Sequence, residues 1–264
     1  MYRSLRSSFP LLLLLPLLVL ANPLAADAKS LRDYADDAGD YATAPLHWDR
    51  NDWESAALAA AAVAATYTQD ERIRAHFATP DARVTGDPHS LRDHAPMMLL
   101  TAGTLATGLL RKDDGLRHTG LDMVEAVALS SASGFVIKHV VARDRPDATN
   151  DRDTWRTGGV SFPSGHTTAM FAAAQVFADS RPADEWSWRA LAYGLGAFTA
   201  YVRVQDNMHW ASDTVAGAAL GIATGRFVSH RRNADDDSAR VSLSLQPTRG
   251  GAMLTFAFDP FATP

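Results

Sequence analysis

Apolar residues in this chain gather into six helix-length segments, at roughly 53–68, 95–111, 119–142, 165–180, 187–204 and 211–229. They are rich in Ala, Leu, Val and Met, while Gly and Pro concentrate between them. That pattern predicts an all-α fold, a six-helix bundle over residues 53–230. Residues 80–94 (PDARVTGDPHSLRDH) read as a long polar connection and residues 231–240 (RRNADDDSAR) as a charged linker. Beyond the linker the period changes. Val241, Leu243 and Leu245 alternate with polar residues, the chain turns between Pro247 and Gly251, and alternation resumes through Leu254, Phe256 and Phe258. This predicts a C-terminal β-hairpin over 241–258. A lone hairpin is marginal in water, so it needs the bundle or another partner.

The first 28 residues differ from all of this. Arg3 and Arg6 precede the apolar run PLLLLLPLLVLA, and Ala26-Asp27-Ala28 is an A-x-A cleavage candidate before Lys29, with Ala21 a second one. The stretch reads as an export signal, its apolar core falling short of the roughly 20 residues of a spanning helix. An uncleaved anchor is the alternative. Residues 29–52 are polar and read as an N-terminal arm.

Composition narrows the chemistry. Of 264 residues 47% are hydrophobic, enough for a sizeable core. The formal net charge is −5 with no long basic tract, which argues against nucleic acid as a partner. With no cysteine, disulfides, thiolate metal sites and cysteine nucleophiles are excluded. Mean hydropathy is −0.13, and the third segment carries Asp122, Glu125 and Lys138. A soluble or peripheral exported domain fits these values. Small-residue helices also suit a bilayer, so integral membrane placement is the alternative.

Three polar clusters interrupt the apolar pattern. In IKHVVARDRPD, Lys138 and Arg145 stand seven residues apart, nearly two helical turns, which would put both cations on one face. The same cluster also reads as a solvated basic helix end. In SFPSGHTTAM, a Ser-Gly pair at a helix start leaves backbone N–H groups free for an anion. His166 beside it is either a proton donor or a residue of the cap. In YVRVQDNMHWASDTVAG, Arg203 precedes His209, and Asp213 follows four residues later. If the helix starts there, the carboxylate shares a face with the ring and can fix its tautomer, though a structural His–Asp cap would look the same.

Taken in order, Lys-x6-Arg-Pro, Pro-Ser-Gly-His and Arg-x5-His-x3-Asp resemble the three-part signature of the type 2 phosphatidic acid phosphatase / vanadium haloperoxidase superfamily. The resemblance implies His209 as nucleophile, Asp213 as the group that orients it, and His166 as general acid. Lys138, Arg145, Ser164, Gly165 and Arg203 would hold the phosphoryl oxygens. It further implies no metal or other cofactor, with vanadate an inhibitory phosphate mimic. Consistently, no cluster of Asp, Glu and His stands at ligand spacing, and Asp235–Asp237 read as solvated.

Some positions depart from the family pattern. Val202 stands where Ser is common, and Asn207 where Gly is common. Asn tolerates a left-handed turn, so the loop survives the change. Asp206 adds a negative charge near the anion site, and His139 and Arg143 match no signature position and are read as structural. The expectation is an exported, metal-independent phosphatase of the periplasm or envelope. It would act through a phosphohistidine on phosphorylated small molecules or lipid phosphates and diphosphates, with possible contact to the membrane surface. The alternatives are a vanadate-dependent haloperoxidase and a non-catalytic phosphate-binding protein.

Overall fold

The computed structural model describes residues 29–78, 91–248 and 251–258. The export signal expected at 1–28 lies outside the described residues, as does most of the polar connection at 80–94. The fold is all-α, but the described residues hold eight α-helices rather than six. They are α1 (Leu31–Thr43), α2 (Arg50–Tyr67), α3 (Asp70–Phe77), α4 (Leu91–Arg111), α5 (Asp114–Val141), α6 (Gly165–Asp179), α7 (Trp186–Gln205) and α8 (Ala211–Arg240). Two extended segments follow, β1 (Val241–Thr248) and β2 (Gly251–Phe258), paired antiparallel with Val241 opposite Phe258.

The additional helices are α1 and α3, both too polar to register as apolar segments. Local signals form them instead. Ser30 caps α1 by accepting the Asp33 amide at 3.2 Å, while the Asp33 carboxylate accepts the Ser30 amide at 2.6 Å. This reciprocal box satisfies two of the orphan donors at a helix start. In α3, Asp70 and Glu71 occupy the first turn and Arg74 and His76 the last, the order that the helix dipole favours.

The arm and the linker are therefore helical, and ion pairs join them to the bundle. Asp37 of α1 is buried and accepts Lys29 Nζ at 2.7 Å and Arg231 Nη2 at 2.9 Å. Lys29 also reaches Glu125 Oε2 of α5 at 3.1 Å, and Arg232 reaches Asp122 Oδ2 at 2.5 Å. Residues 231–240 continue α8, and at the head of this stretch Arg231 and Arg232 meet the buried carboxylates of Asp37 and Asp122.

The core sits around α6. Ala169, Met170, Ala172, Ala173 and Ala174 are buried against Met123 and Val127 of α5, Ala192 of α7 and Val228 of α8. Each fully buried Met or Val side chain contributes roughly 1.5–3 kcal/mol. Alanines on α6 and glycines on α8 let these two helices touch along their backbones. A Cβ placed on Gly217 would lie 2.7 Å from the Ser164 carbonyl oxygen, and one on Gly221 would lie 2.4 Å from that of Thr168. The contact holds the start of α6 against the start of α8, where the second and third sequence clusters lie. Among the described residues, α5 alone is long and apolar enough to cross a membrane by length and composition. Much of it is packed inside the bundle, from Thr119 to Val127 in particular.

Candidate active site

The first cluster closes α5. The helix ends at Val141, and Ala142 turns left-handed at φ 49° while its amide bonds back to the Lys138 carbonyl at 2.9 Å. Arg145 thus lies in the following loop and not on the helix, so the expected shared helical face does not exist. The two cations come near each other all the same, because the turn brings the chain back toward Lys138, and Arg145 depresses the charge of Lys138. Lys138 Nζ donates to the carbonyls of Val160 at 2.8 Å and Pro163 at 2.6 Å.

The second cluster opens α6. Ser164 is the N-cap, fully buried, and its amide donates to the Asp213 carbonyl at 2.9 Å. Its hydroxyl makes no cap bond to the helix backbone and instead accepts from Thr167 Oγ1 at 3.0 Å. Gly165 is the first helical residue, and a Cβ there would meet nothing within 4 Å. Space is therefore open beside the first residue of α6, at the positive end of the helix dipole. His166 follows, its Nε2 buried without a hydrogen-bond partner and its ring stacked on His94 of α4 at 4.2 Å.

The third cluster joins α7 to α8. Asn207 takes the left-handed turn at φ 57°, the conformation that its residue type tolerates, and accepts Arg74 Nε at 2.8 Å. The chain then doubles back, and the amides of Met208 and His209 both bond to the Arg203 carbonyl at 3.2 Å. Helix α8 begins at Ala211, so His209 precedes it while Asp213 sits in its first turn. Asp213 Oδ2 accepts the Trp210 amide at 2.9 Å and lies 3.7 Å from His209 Nδ1. Ser161 stands between them, donating from Oγ to Asp213 Oδ2 at 2.5 Å with His209 Nδ1 3.5 Å away.

The structure thus brings together Lys138, Arg145, Ser164, Gly165, His166, Arg203, His209 and Asp213. Their charges act on one another strongly. Burial pushes His209 well below the ordinary histidine range, and Lys138, Arg145 and Arg203 push it further. His166 is lowered by burial and then by His94, Arg203 and His209. Burial and Arg145 bring Lys138 down to about 7. Asp213 is raised by burial, with Arg143 and Ser161 opposing. Three cations, two neutral rings and a helix N-terminus make a pocket that an oxyanion would relieve of its repulsion. A cavity of about 370 Å³ opens beside Arg203, with Pro96, Phe198 and Val202 as its apolar wall and Thr199, Gln205 and Asp206 as its polar lining.

Four contributors escaped the sequence reading. Ser161 lies inside the quoted SFPSGH stretch but carries no periodic signal. Asp70 and His94 arrive from α3 and α4, far away in the chain, and nothing local marks them. Arg143, read as structural, donates to Asp213 Oδ1 at 2.7 Å.

A model of the PAP2 superfamily matches residues 119–236. Over 106 residues the chain is 35% identical to a lipid A 1-phosphatase from Porphyromonas gingivalis. The matched stretch is 39% of this chain and spans 22% of the relative's length. No solved structure matches.

Proposed function

We propose that this chain, whose residues 119–236 match a model of the PAP2 superfamily, is an exported, metal-independent lipid phosphatase working through a phosphohistidine. The observation that carries the reading is the meeting of His166 and His209 with Lys138, Arg145 and Arg203 at the open N-terminus of α6. The similarity to a lipid A 1-phosphatase supports a lipid phosphate as substrate. The apolar wall of Pro96, Phe198 and Val202 beside Arg203 suits the same leaving group. The leader at residues 1–28 is the basis for placing the enzyme in the periplasm or envelope.

In this mechanism Ser161 and Asp213 hold His209 on its Nδ1 side, leaving Nε2 as the attacking atom. Nε2 forms a bond to phosphorus as the bond to the leaving oxygen breaks, and His166 gives its proton to that oxygen. A water molecule then attacks phosphorus, His166 takes its proton, and the N–P bond breaks to release phosphate. Lys138, Arg145, Arg203 and the α6 backbone stabilise the equatorial oxygens, where phosphoryl transfer gathers charge. The dianion of the substrate also raises His166, whose acid form the first half-reaction requires.

Purified protein assayed against phosphatidate, an isoprenoid diphosphate and a soluble aryl phosphate, with a chelator present, tests the reading. Phosphate release that persists in chelator and is blocked by vanadate is the expected result. Release that requires added metal, or bromide oxidation in place of hydrolysis when vanadate is supplied, overturns it.

A further inference from the structure

Behind the catalytic histidine lies a buried charge assembly that touches no substrate. Arg143 is fully buried, and all five of its N–H donors are spent inside the protein. Nη1 donates to Asp213 Oδ1 at 2.7 Å and Ser212 Oγ at 2.8 Å. Nη2 donates to Asp70 Oδ2 at 2.8 Å and the Arg152 carbonyl at 3.0 Å, and Nε donates to that same carbonyl at 3.2 Å. Trp155, Trp210 and Tyr67 surround the guanidinium, with centroids 4.5, 5.2 and 5.0 Å from its carbon. Asp70 is equally buried and also accepts the Ser212 amide at 2.8 Å and the Ser212 hydroxyl at 2.6 Å.

We propose that Arg143 and Asp70 are positioning residues for His209: Arg143 aims Asp213, and Asp70 restores the negative charge that Arg143 would otherwise cancel. The inference rests on the phosphohistidine reading above. Its logic is a charge count. Asp213 alone against Arg143 is a neutral pair, and a neutral pair offers a developing imidazolium little. With Asp70 the triplet Asp70–Arg143–Asp213 carries one net negative charge in a water-excluded setting. Bond formation between His209 Nε2 and phosphorus makes the ring cationic, and the triplet then matches it. Asp213 faces His209 on this side, 3.7 Å from Nδ1 and backed by Arg143, while Lys138, Arg145, Arg203 and His166 act on it from the other. Every cation on the far side disfavours the charged ring; Ser161 favours it, and the triplet adds negative charge from behind. A lysine at 143 would keep the charge but lacks the planar fork that spans both carboxylates.

Asp70→Asn tests this, being isosteric and able to accept the Ser212 amide still. With a soluble aryl phosphate, kcat falls on the order of 10- to 100-fold while KM stays within about twofold, the mark of an interaction made in the transition state. The acid limb of the kcat profile moves to lower pH, because loss of a nearby negative charge makes the His209 ring harder to protonate. The His209 ring, followed by ¹⁵N NMR, titrates at lower pH in the variant than in the wild-type protein. Arg143→Lys loses kcat as well, and the thermal midpoint of each variant gives the folded fraction for normalisation. The inference is overturned if Asp70→Asn leaves kcat and the ring titration at wild-type values, or if its loss lies wholly in KM or in the folded fraction. Should the wild-type chain hydrolyse no phosphate ester, the phosphatase reading fails on its own, and the ring titration still decides the charge coupling.

Discussion

Lys138 Nζ donates at 2.6 Å to the carbonyl oxygen of Pro163, the residue immediately before the Ser164 cap of α6. The end of one helix thereby grips the entrance of another, and the same ammonium group faces the anion pocket. Its surroundings make it titrate early: burial and Arg145 bring it down to about 7. A lysine with a depressed pKa loses its charge at lower pH than usual, so phosphate capture weakens as pH rises through that value. For the proposed phosphatase, kcat/KM falls above about pH 7. Bound phosphate favours the ammonium form, so the basic limb of kcat lies at higher pH than that of kcat/KM. Full pH profiles of both constants check this, and a kcat/KM that stays level to about pH 9 contradicts it.

His209 sets the opposite limb. Burial and three cations push it well below the ordinary value of 6.5, so the ring stays neutral and nucleophilic in mild acid. The acid limb of kcat/KM therefore lies below that value. His209→Ala abolishes turnover in the same assay, and retention of wild-type hydrolysis in this variant would end the proposed mechanism.

His166 acts on the leaving oxygen, so its importance follows the leaving group. His166→Ala slows alkyl phosphates by roughly 10²- to 10⁴-fold, the usual worth of general acid catalysis. An aryl phosphate, whose leaving oxygen needs little protonation, loses only about tenfold or less. Parallel kinetics on the two esters separate the roles. Equal losses on both would assign His166 to binding.

The approach of α6 to α8 has its own test. A methyl group on Gly221 would stand 2.4 Å from the Thr168 carbonyl oxygen, against backbone that cannot swing away. Gly221→Ala destabilises the protein by about 1–3 kcal/mol through this overpacking. Denaturant melts measure it, and a neutral result would mean that the two helices separate freely.

Lys29 ties the arm to α5 by bridging Asp37 and Glu125. Burial raises Glu125 to about 7, and Lys29 is the largest influence opposing it. Because the folded value lies above the unfolded one, protonation of Glu125 stabilises the fold at low pH, and this contribution is lost as pH rises through about 7. Lys29→Met removes the cation that offsets the ionised form, at a cost of about 1–3 kcal/mol. The cost is larger at alkaline than at acid pH, as thermal melts on either side of the Glu125 value would show. Equal costs at both would place the effect in lost packing.

The pattern of apolar helix-length segments located α2 and α4 through α8; α4 through α8 supply the buried core, whereas α2 is apolar in composition with no residue fully buried. It passed over α1 and α3, whose stability comes from capping, ion pairs and dipole complement. The eight site residues were singled out because their three short motifs together resemble a known family signature; by spacing alone each motif also reads as a cap or a solvated helix end. Even so, Arg145 reaches Lys138 through the left-handed turn at Ala142, not through helical geometry. What the chain could not announce is the second layer. Asp70 and Arg143 stand 73 residues apart with α4 and α5 between them, and their pairing exists only once α3 lies under the start of α8. Local spacing determines which groups can line a pocket. Which buried charges stand behind it depends on long-range packing, since a charge inside the protein persists only where folding delivers its partner.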